Sequence, residues 1–261
     1  MRLPIYQVDA FTDRLFGGNP AAIVPLEQWL PDQTLQAIAA ENNLAETAFF
    51  VPEGDSYALR WFTPTVEVDL CGHATLASAY VIFRFLDPRR EQVDFRTLKA
   101  GTLSVKRQGE ALAMDFPSRP ATPVTMPETL AAALGKRPAS VLAARDYLAV
   151  YEQPEEVAAL APDFAALARL DRFAVIVTAP GRDGVDFVSR FFAPAQGIDE
   201  DPVTGSSHCT LTPYWAKRLG KTRLEARQIS RRGGALTCTL AGERVVMAGR
   251  CVLYLEGTIT V

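Results

Sequence analysis

The two histidines of this chain lie in two similar segments. His73 is part of LCGHATLASAY (70–80) and His208 is part of TGSSHCTLTPYW (204–215). In both segments glycine and small polar residues precede a helical pattern. A helix start offers unpaired backbone N–H groups and a partial positive charge, and glycine lets a ligand approach the backbone. Each segment is therefore a candidate site for an anion such as a carboxylate, without the need for a basic side chain.

A structural interpretation competes with this one. Ser206 and Ser207 come just before the second helical pattern. Serine at a helix start stabilises the helix by accepting hydrogen bonds from its backbone N–H groups. The residue types of this segment are therefore consistent with a helix cap as well as with a binding site.

Thiol and imidazole groups suggest two further chemistries. Four potential metal ligands lie in the two segments: Cys71, His73, His208 and Cys209. Structural zinc sites usually separate paired ligands by roughly two to five residues. Here the pairs are closer, so we expect no metal. A nucleophilic Cys71–His73 pair is also conceivable because a helix N-terminus lowers the pKa of a thiol, but residues this close at a turn need not be in contact.

Two carboxylates could act in acid–base catalysis. Glu46 lies between a helical pattern and the apolar run AFFV, and Asp201 lies in DEDPVTG. A carboxylate beside an apolar run loses part of its hydration, which suits a general base. A solvated glutamate at a strand edge and an aspartate in a turn are the corresponding structural interpretations.

Strands and two helices must position these residues. Short stretches rich in Val, Phe, Tyr and Thr, separated by Gly or Pro, predict antiparallel strands. Residues 32–43 have the spacing of a helix, and residues 73–86 are apolar on nearly all sides, which is typical of a buried helix. RWFTP (60–64) precedes the first histidine segment and RFFAP (190–194) precedes the second. Two linked matches in the same order predict a duplicated domain.

The composition narrows the class of protein. The chain has 261 residues and a net charge of −3, which allows two domains of roughly 100–150 residues and gives no basic surface for nucleic acid. We see no signal peptide and no apolar run long enough to span a membrane. Four cysteines without a secretory signal favour the cytoplasm. The proline-rich connector PSRPATPVTMPE, starting at residue 117, predicts a domain boundary.

Four blocks of the sequence closely resemble the PhzF family, the phenazine-biosynthesis-like isomerases. They follow the order of the family and are spread over nearly the whole chain: FGGNPAAIV (16–24), NNLAETAFF (42–50), RWFTPTVEVDLCGHATLASA (60–79) and RFFAPAQGIDEDPVTGSSHCTLTPYW (190–215). The last block is long and specific.

The resemblance implies an α+β fold of the diaminopimelate-epimerase type. Two similar domains, related by a pseudo-twofold axis, would each wrap an antiparallel barrel-like sheet around a central helix. The central helices would be residues 73–86 and about 207–219. The domains would be 1–117 and 118–251, with the C-terminal strand 252–261 as a candidate addition to the first.

The resemblance also implies a cofactor-free site in the cleft between the domains. The family's catalytic positions fall on Glu46 as the acid–base residue, His73 and Asp201. The expected substrate-binding residues are Asn19, Gly72, Gly205 and Ser206. The substrate would be a small carboxylate, and we expect a homodimer. His208 matches no catalytic position and is expected to have a packing or supporting role.

One departure concerns the related epimerases, which use a cysteine at each helix start as base and acid. Cys71 keeps the first position, and Gly205 stands where we expect the second. The first hypothesis is therefore an isomerase that moves a proton between carbons, with a neutral His73 because a helix N-terminus opposes its protonation. The alternatives are a one-base or mixed-base epimerase of an amino or hydroxy acid, and a non-catalytic ligand-binding relative.

Overall fold

The structure is a computed structural model that describes residues 1–261 and divides into two compact units. Unit 1 comprises Met1–Asp115 together with Ala248–Val261, and unit 2 comprises Phe116–Met247. No helix in the structure is long and apolar enough to span a membrane.

Unit 1 is built on one run of hydrogen-bonded strands. Strand β1 lies between β17 and β2, to which it is antiparallel; β2 is parallel to β3, β3 antiparallel to β4, and β4 parallel to β6. The antiparallel strands β7 and β8 follow, and the short β5 lies beside β4. The strands are β1 (Arg2–Ala10), β2 (Asn19–Pro25), β3 (Glu46–Glu53), β4 (Ser56–Phe62), β5 (Glu67–Val68), β6 (Gln92–Arg96), β7 (Thr102–Gln108), β8 (Ala111–Pro117) and β17 (Cys251–Thr260).

A helix makes the crossover between the strands of each parallel pair in unit 1, as parallel pairing requires. Helix α1 (Asp32–Asn42) connects β2 to β3, and helix α2 (Gly72–Val81), which continues as a π-helical turn (Ile82–Leu86), connects β4 to β6. Helix α1 covers one face of the sheet and shares a core with Val24 and Phe49. Helix α2 contacts β1, β2, β3, β7 and β17, and is the central helix. Both helices predicted from the sequence are confirmed.

Unit 2 repeats this order. Strands β10 and β11 are antiparallel, β11 and β12 parallel, β12 and β13 antiparallel, β13 and β14 parallel, and β14 and β15 antiparallel. The strands are β9 (Thr122–Pro123), β10 (Ser140–Ala143), β11 (Tyr147–Val150), β12 (Val175–Pro180), β13 (Phe187–Phe192), β14 (Arg223–Gln228), β15 (Gly234–Ala241) and β16 (Arg244–Gly249). The helices are α3 (Glu128–Leu134), α4 (Pro154–Ala158), α5 (Phe164–Leu167) and α6 (Gly205–Leu219).

Helix α6 has the place in unit 2 that α2 has in unit 1. It is the crossover between the parallel strands β13 and β14, and the indole N–H of its Trp215 donates to the hydroxyl of Thr178 on β12 (3.0 Å). The opposite face of this sheet packs against α3, α4 and α5. The alternation of antiparallel and parallel pairs is the same in both units, which confirms the predicted duplication.

The repeated RWFTP and RFFAP blocks hold the chain that leads to each central helix. Arg60 donates from Nε and Nη2 to the Glu67 carboxylate (2.7 and 2.8 Å), and Arg190 donates in the same way to Glu200 (2.7 and 2.9 Å). Both arginine side chains are only 12% exposed. A paired guanidinium and carboxylate of this kind fix geometry as well as charge. The repeat therefore has a structural cause that the sequence did not disclose.

Candidate active site

Glu46 is the first residue of β3 and faces the central helix of unit 1. In the parallel β2–β3 pair it lies opposite Ala21. Paired residues share a face of the sheet, and alternate residues along a strand return to that face. The next residues of β3 show the alternation, since Phe49 packs in the α1 core on the other face. Glu46 is buried, with 9% of its surface exposed.

His73 is the second residue of α2 and contacts this carboxylate. Its Nε2 lies 3.1 Å from Oε2 of Glu46, and the ring is 6% exposed. A carboxylate and an imidazole in contact away from water form a strong ion pair once the ring is protonated. The structure therefore brings together two of the three predicted catalytic residues.

Cys71, the residue before α2, also contacts the histidine. Its sulfur is 3.4 Å from Nδ1 of His73. The sequence-based argument that this pair need not meet is wrong, because the turn into the helix directs both side chains to the same side. A helix N-terminus lowers the pKa of a thiol, but here burial, with a smaller contribution from Glu46, raises the pKa of Cys71 to about 11. A thiol of this kind is protonated at neutral pH and is no nucleophile.

The protonation state expected for His73 is corrected as well. Burial opposes protonation of the ring, but the neighbouring Cys71 and Glu46 outweigh it and hold the pKa of His73 well above its ordinary value. The helix N-terminus alone predicted a neutral ring. A carboxylate in direct contact favours the charged ring more strongly than the partial charge of a helix end opposes it.

Asn19 begins β2 and lies fully buried on the face that carries Glu46. It pairs with Ala10 of β1 and lies two residues before Ala21, which is the partner of Glu46. The turn before it requires glycine, because Gly18 has φ +61° and a Cβ atom there would come 2.1 Å from the carbonyl oxygen of Ala10. The FGGNP block therefore fixes the entry of this strand.

In unit 2, Thr204 precedes Gly205, the first residue of α6. The hydroxyl of Thr204 donates to the Asp201 carboxylate, and its backbone N–H donates to Oε1 of Gln228 (2.8 Å). The Gln228 amide in turn donates to the carbonyl oxygen of Asp201 (2.7 Å). Asp201 is thus part of the turn that leads into the helix. Gln228, buried on β14, is a supporting residue that the sequence argument missed.

Arg145 is the second residue that the sequence argument missed. Its Nη2 lies 3.3 Å from the hydroxyl of Ser206, the second residue of α6. The guanidinium donates twice to buried Asp146 (3.0 and 3.1 Å) and lies over the ring of Phe173, 4.3 Å from its centre. About a third of the arginine side chain is exposed. The start of α6 therefore does have a basic side chain, contrary to expectation.

His208 differs from His73 in its position along the helix and in the charge of its ring. It is the fourth residue of its helix, and its Nδ1 is 2.8 Å from the carbonyl oxygen of Thr204. Burial lowers the pKa of His208 to about 4, so the ring is neutral. Counted from the helix start, Ser206 corresponds to His73 and Thr204 corresponds to Cys71. The residue in the place of the second epimerase cysteine is therefore Thr204 and not Gly205, and it is no thiol either.

A metal would find a different set of ligands from the four in the sequence argument. The side chains of Glu46, Cys71 and His73 place one ligand atom each within 4.8 Å of one another. His208 has one ring nitrogen on a backbone carbonyl and lies in the core of unit 2. In unit 1 the thiol, the ring and the carboxylate already contact one another. The expectation that no metal binds remains a prediction.

Comparisons with known proteins assign the chain to a family. Residues 8–257 match the family model described as phenazine biosynthesis-like protein (PhzC-PhzF). An uncharacterized isomerase of Pseudomonas aeruginosa is 55% identical over 259 residues, which cover 99% of each chain. The chain belongs to the PhzF family.

Solved structures extend the comparison to the fold. The crystal structure of a PhzF-family protein of Enterococcus faecalis is 48% identical and has a TM-score of 0.98, with 100% of both chains covered. A hydroxyproline epimerase of Agrobacterium vitis, with bound trans-4-hydroxy-L-proline, has a TM-score of 0.60 at 11% identity and covers 99% of this chain and 92% of its own. That likeness concerns the fold alone. Together the comparisons support an isomerase as the enzyme class.

Proposed function

We propose that this PhzF-family protein is a cofactor-independent isomerase that moves a proton between carbons of a small carboxylate substrate, with Glu46 as the acid–base residue. The observation that supports it most is the buried contact between Glu46 and His73, 3.1 Å between Oε2 and Nε2. A carboxylate buried beside an imidazole is shielded from bulk water and held in place by its neighbour, and a general base must be held within reach of the proton that it takes.

The reaction needs no other acid or base. The Glu46 carboxylate takes a proton from a C–H bond that a neighbouring unsaturated group activates, and the electron pair of that bond moves into the unsaturated system. The resulting carboxylic acid then gives the same proton to another carbon. His73 stabilises the carboxylate at the beginning and at the end of this cycle. The substrate is neither oxidised nor reduced, so no redox cofactor is needed.

Each helix start offers groups that suit an anionic substrate. Backbone N–H groups at Gly72 and Gly205 belong to the unpaired donors of a first helical turn, which favour an anion. At α6 the Ser206 hydroxyl adds a polar donor, and the Arg145 guanidinium, which is paired with Asp146, adds its remaining N–H donors. Arginine matches a carboxylate in shape and charge, which supports a carboxylate as the group bound there.

Asp201 and Asn19 complete the proposed site. We propose Asp201 as a further catalytic residue, on the family resemblance. In unit 2 its carboxylate holds Thr204 just before α6, so a change at Asp201 also alters the helix start. Asn19 lies on the sheet face that carries Glu46, and an amide there suits a polar substituent of the substrate.

The protein is also proposed to be a homodimer, with β17 as the contact. This ten-residue strand pairs with β1 and exposes Tyr254 and Leu255, and the ring of exposed Phe16 lies 5.7 Å from that of Tyr254. Exposed apolar side chains grouped on one surface favour burial against a second copy of the chain. Light scattering should give the mass of two chains, and Leu255→Lys should give a folded protein with the mass of one chain.

A second candidate is an epimerase of an amino or hydroxy acid. Cys71 favours it, because this thiol has the position of one epimerase cysteine, and the fold is shared with a hydroxyproline epimerase. Thr204 opposes it, since a threonine hydroxyl is far too weak an acid–base group for the opposite face of the carbon. The two-thiol mechanism is therefore absent.

Solvent exchange separates the two candidates. We would incubate the protein in D2O with a panel of unsaturated and saturated small carboxylates, and follow deuterium by NMR and chirality by chiral chromatography. The proposed isomerase moves the double bond, and the carbon that gains hydrogen is not the carbon that loses it. That second carbon receives deuterium if the proton on Glu46 exchanges with solvent, and the original proton if it does not. An epimerase places label at the α-carbon and inverts it. A protein that binds a carboxylate tightly but neither moves its double bond nor labels its α-carbon would be a non-catalytic relative.

A further inference from the structure

Cys71 lies at the start of α2 without capping the helix. Its backbone is extended (φ −139°, ψ 110°), and its side chain makes no well-formed capping hydrogen bond, although its sulfur lies near the backbone N–H of Ala74 in the first turn. Side-chain caps are made mainly by Ser, Thr, Asp and Asn. The Cys71 sulfur is in hydrogen-bond contact with Nδ1 of His73 at 3.4 Å. The thiol is therefore placed to interact with the histidine ring.

The two nitrogens of the His73 ring have different partners. Nε2 lies 3.1 Å from Oε2 of Glu46, whereas Nδ1 lies beside the Cys71 sulfur, which is 4.0 Å from Nε2. The ring is buried, so each nitrogen depends on these protein groups to satisfy it. The orientation of the ring is therefore defined by one group on each side.

The chemistry of these partners decides where the ring gains and loses its proton. An ionised carboxylate only accepts hydrogen bonds, so Nε2 keeps its hydrogen in both the neutral and the charged ring. The second proton must then bind to Nδ1. There the partner has to accept from N–H in the charged ring and donate to the bare nitrogen in the neutral ring. A thiol can do both.

We propose that Cys71 is a positioning residue that holds His73 with Nε2 on Glu46 in both protonation states, so that the ring exchanges its proton at Nδ1, on the thiol side. The contact with Glu46 then survives a change in the charge of the ring. This role differs from that of the epimerase thiols, since Cys71 takes no proton from the substrate. Its value for catalysis rests on the proposed function, but the arrangement of the ring does not.

The direction of the effect follows from the groups that face the ring. These are Cys71, just before α2, and Glu46, on β3. Both favour the charged ring, against burial, which opposes it. Without a side chain that accepts from Nδ1–H, the charged ring keeps a buried N–H without a partner. Cys71→Ala should therefore lower the pKa of His73, and Cys71→Ser, whose hydroxyl both donates and accepts, should preserve it.

The chain offers a direct measurement because it contains only two histidines. In protein labelled with ¹⁵N-histidine, each ring gives its own nitrogen signals, which report both the tautomer and the charge. His208 serves as the internal reference: its Nδ1 faces the carbonyl oxygen of Thr204, so the neutral ring carries its hydrogen on Nδ1. We expect the opposite tautomer, with hydrogen on Nε2, for neutral His73.

The pH titration is run on the wild type, Cys71→Ser, Cys71→Ala and Cys71→Val. We expect the midpoint of His73 to stay in place in the serine variant and to move to lower pH in the alanine and valine variants, while His208 does not change. Cys251→Ala is the matched control, because it removes another thiol of unit 1 that has no contact with His73.

Two results would overturn the proposal. One is a neutral His73 with its hydrogen on Nδ1 in the wild type, a measurement that needs no variant to fold. The other is an unchanged midpoint and tautomer in folded Cys71→Ala or Cys71→Val. Neither measurement uses a substrate. A protein that isomerises no carboxylate but shows the expected titrations would contradict the proposed function and leave this inference in place.

Discussion

The starts of α2 and α6 share a backbone plan and differ in their chemistry. Each follows a residue with an extended backbone, Cys71 in unit 1 and Thr204 in unit 2, and each begins with glycine. At the second helical residue the units diverge. Unit 1 has His73 on a buried carboxylate, and unit 2 has Ser206 beside an arginine.

The difference shows how a duplicated frame can be divided between two tasks. Both frames offer unpaired N–H groups to an anion. In unit 1 the neighbouring strand adds Glu46, so that helix start gains an acid–base group. In unit 2 the chain before β11 adds Arg145, paired with Asp146, so that helix start gains guanidinium N–H donors. We therefore expect changes in unit 1 to act mainly on turnover, and changes in unit 2 to act mainly on binding.

The largest expected effect is that of Glu46→Gln. The amide keeps the size of the side chain but cannot take a proton, so turnover should fall by roughly 10²–10⁴ with a folded protein and a nearly unchanged KM. Steady-state kinetics on a substrate found by solvent exchange would measure it. Glu41→Gln, an exposed change in α1, is the matched control. A kcat close to that of the wild type in Glu46→Gln would remove Glu46 from the mechanism.

The sequence predicted the frame better than the chemistry around it. The apolar pattern of 73–86 and the duplicated blocks were sufficient to predict a buried helix and a duplicated domain, because periodicity and repetition are properties of the chain itself. The two central helices were implied by the family resemblance. Contacts such as that of Arg145 with Ser206 join residues far apart in the sequence, and an Arg-Asp pair before a strand has no signal of its own. The two histidines, which the resemblance already distinguished, lie at different positions of their helices.

The two histidines should give opposite dependences of stability on pH. Burial lowers the pKa of His208 from an unfolded value of 6.5 to about 4, so stability is complete above pH 6.5 and is lost as the pH falls towards 4. The loss amounts to roughly 3 kcal/mol for one fully buried ring. The raised pKa of His73 works the other way: its contribution is present below pH 6.5 and is lost as the pH rises through the folded pKa.

Urea unfolding from pH 4 to pH 9 would measure how the free energy of unfolding changes with pH, and so would test the contributions of both histidines. His208→Asn keeps a donor for the carbonyl oxygen of Thr204 and removes the titration. The variant should be less stable at neutral pH, because the ring leaves a cavity, but it should lose much less stability between pH 6.5 and 4. If the wild type and the variant lose the same free energy of unfolding between pH 6.5 and 4, His208 is not the group responsible.

Arg145→Met should weaken the binding of a carboxylate substrate by roughly 10–100-fold, which corresponds to the 1.5–3 kcal/mol of a hydrogen bond to a charged group. Because Asp146 is buried and loses its partner, the variant is best made together with Asp146→Asn. Calorimetric titration would give Kd, and a parallel kcat would show little change. Arg169→Met, at an exposed arginine of unit 2, is the control. A large loss of kcat with an unchanged Kd would break the division of tasks between the units.

The smallest expected effect is that of a metal chelator, which should leave both activity and melting temperature unchanged. A zinc ion in unit 1 would need the thiolate of Cys71 and a neutral nitrogen of His73. Burial raises the pKa of the thiol to about 11, and the neighbouring Glu46 favours the charged ring over the neutral one, so an ion must displace two protons that the site holds firmly at neutral pH. Elemental analysis of purified protein should find far less than one zinc per chain. About one zinc per chain, with a melting temperature that falls on chelation, would make unit 1 a metal centre, and the contrast between an acid–base helix start and an anion-binding one would have to be abandoned.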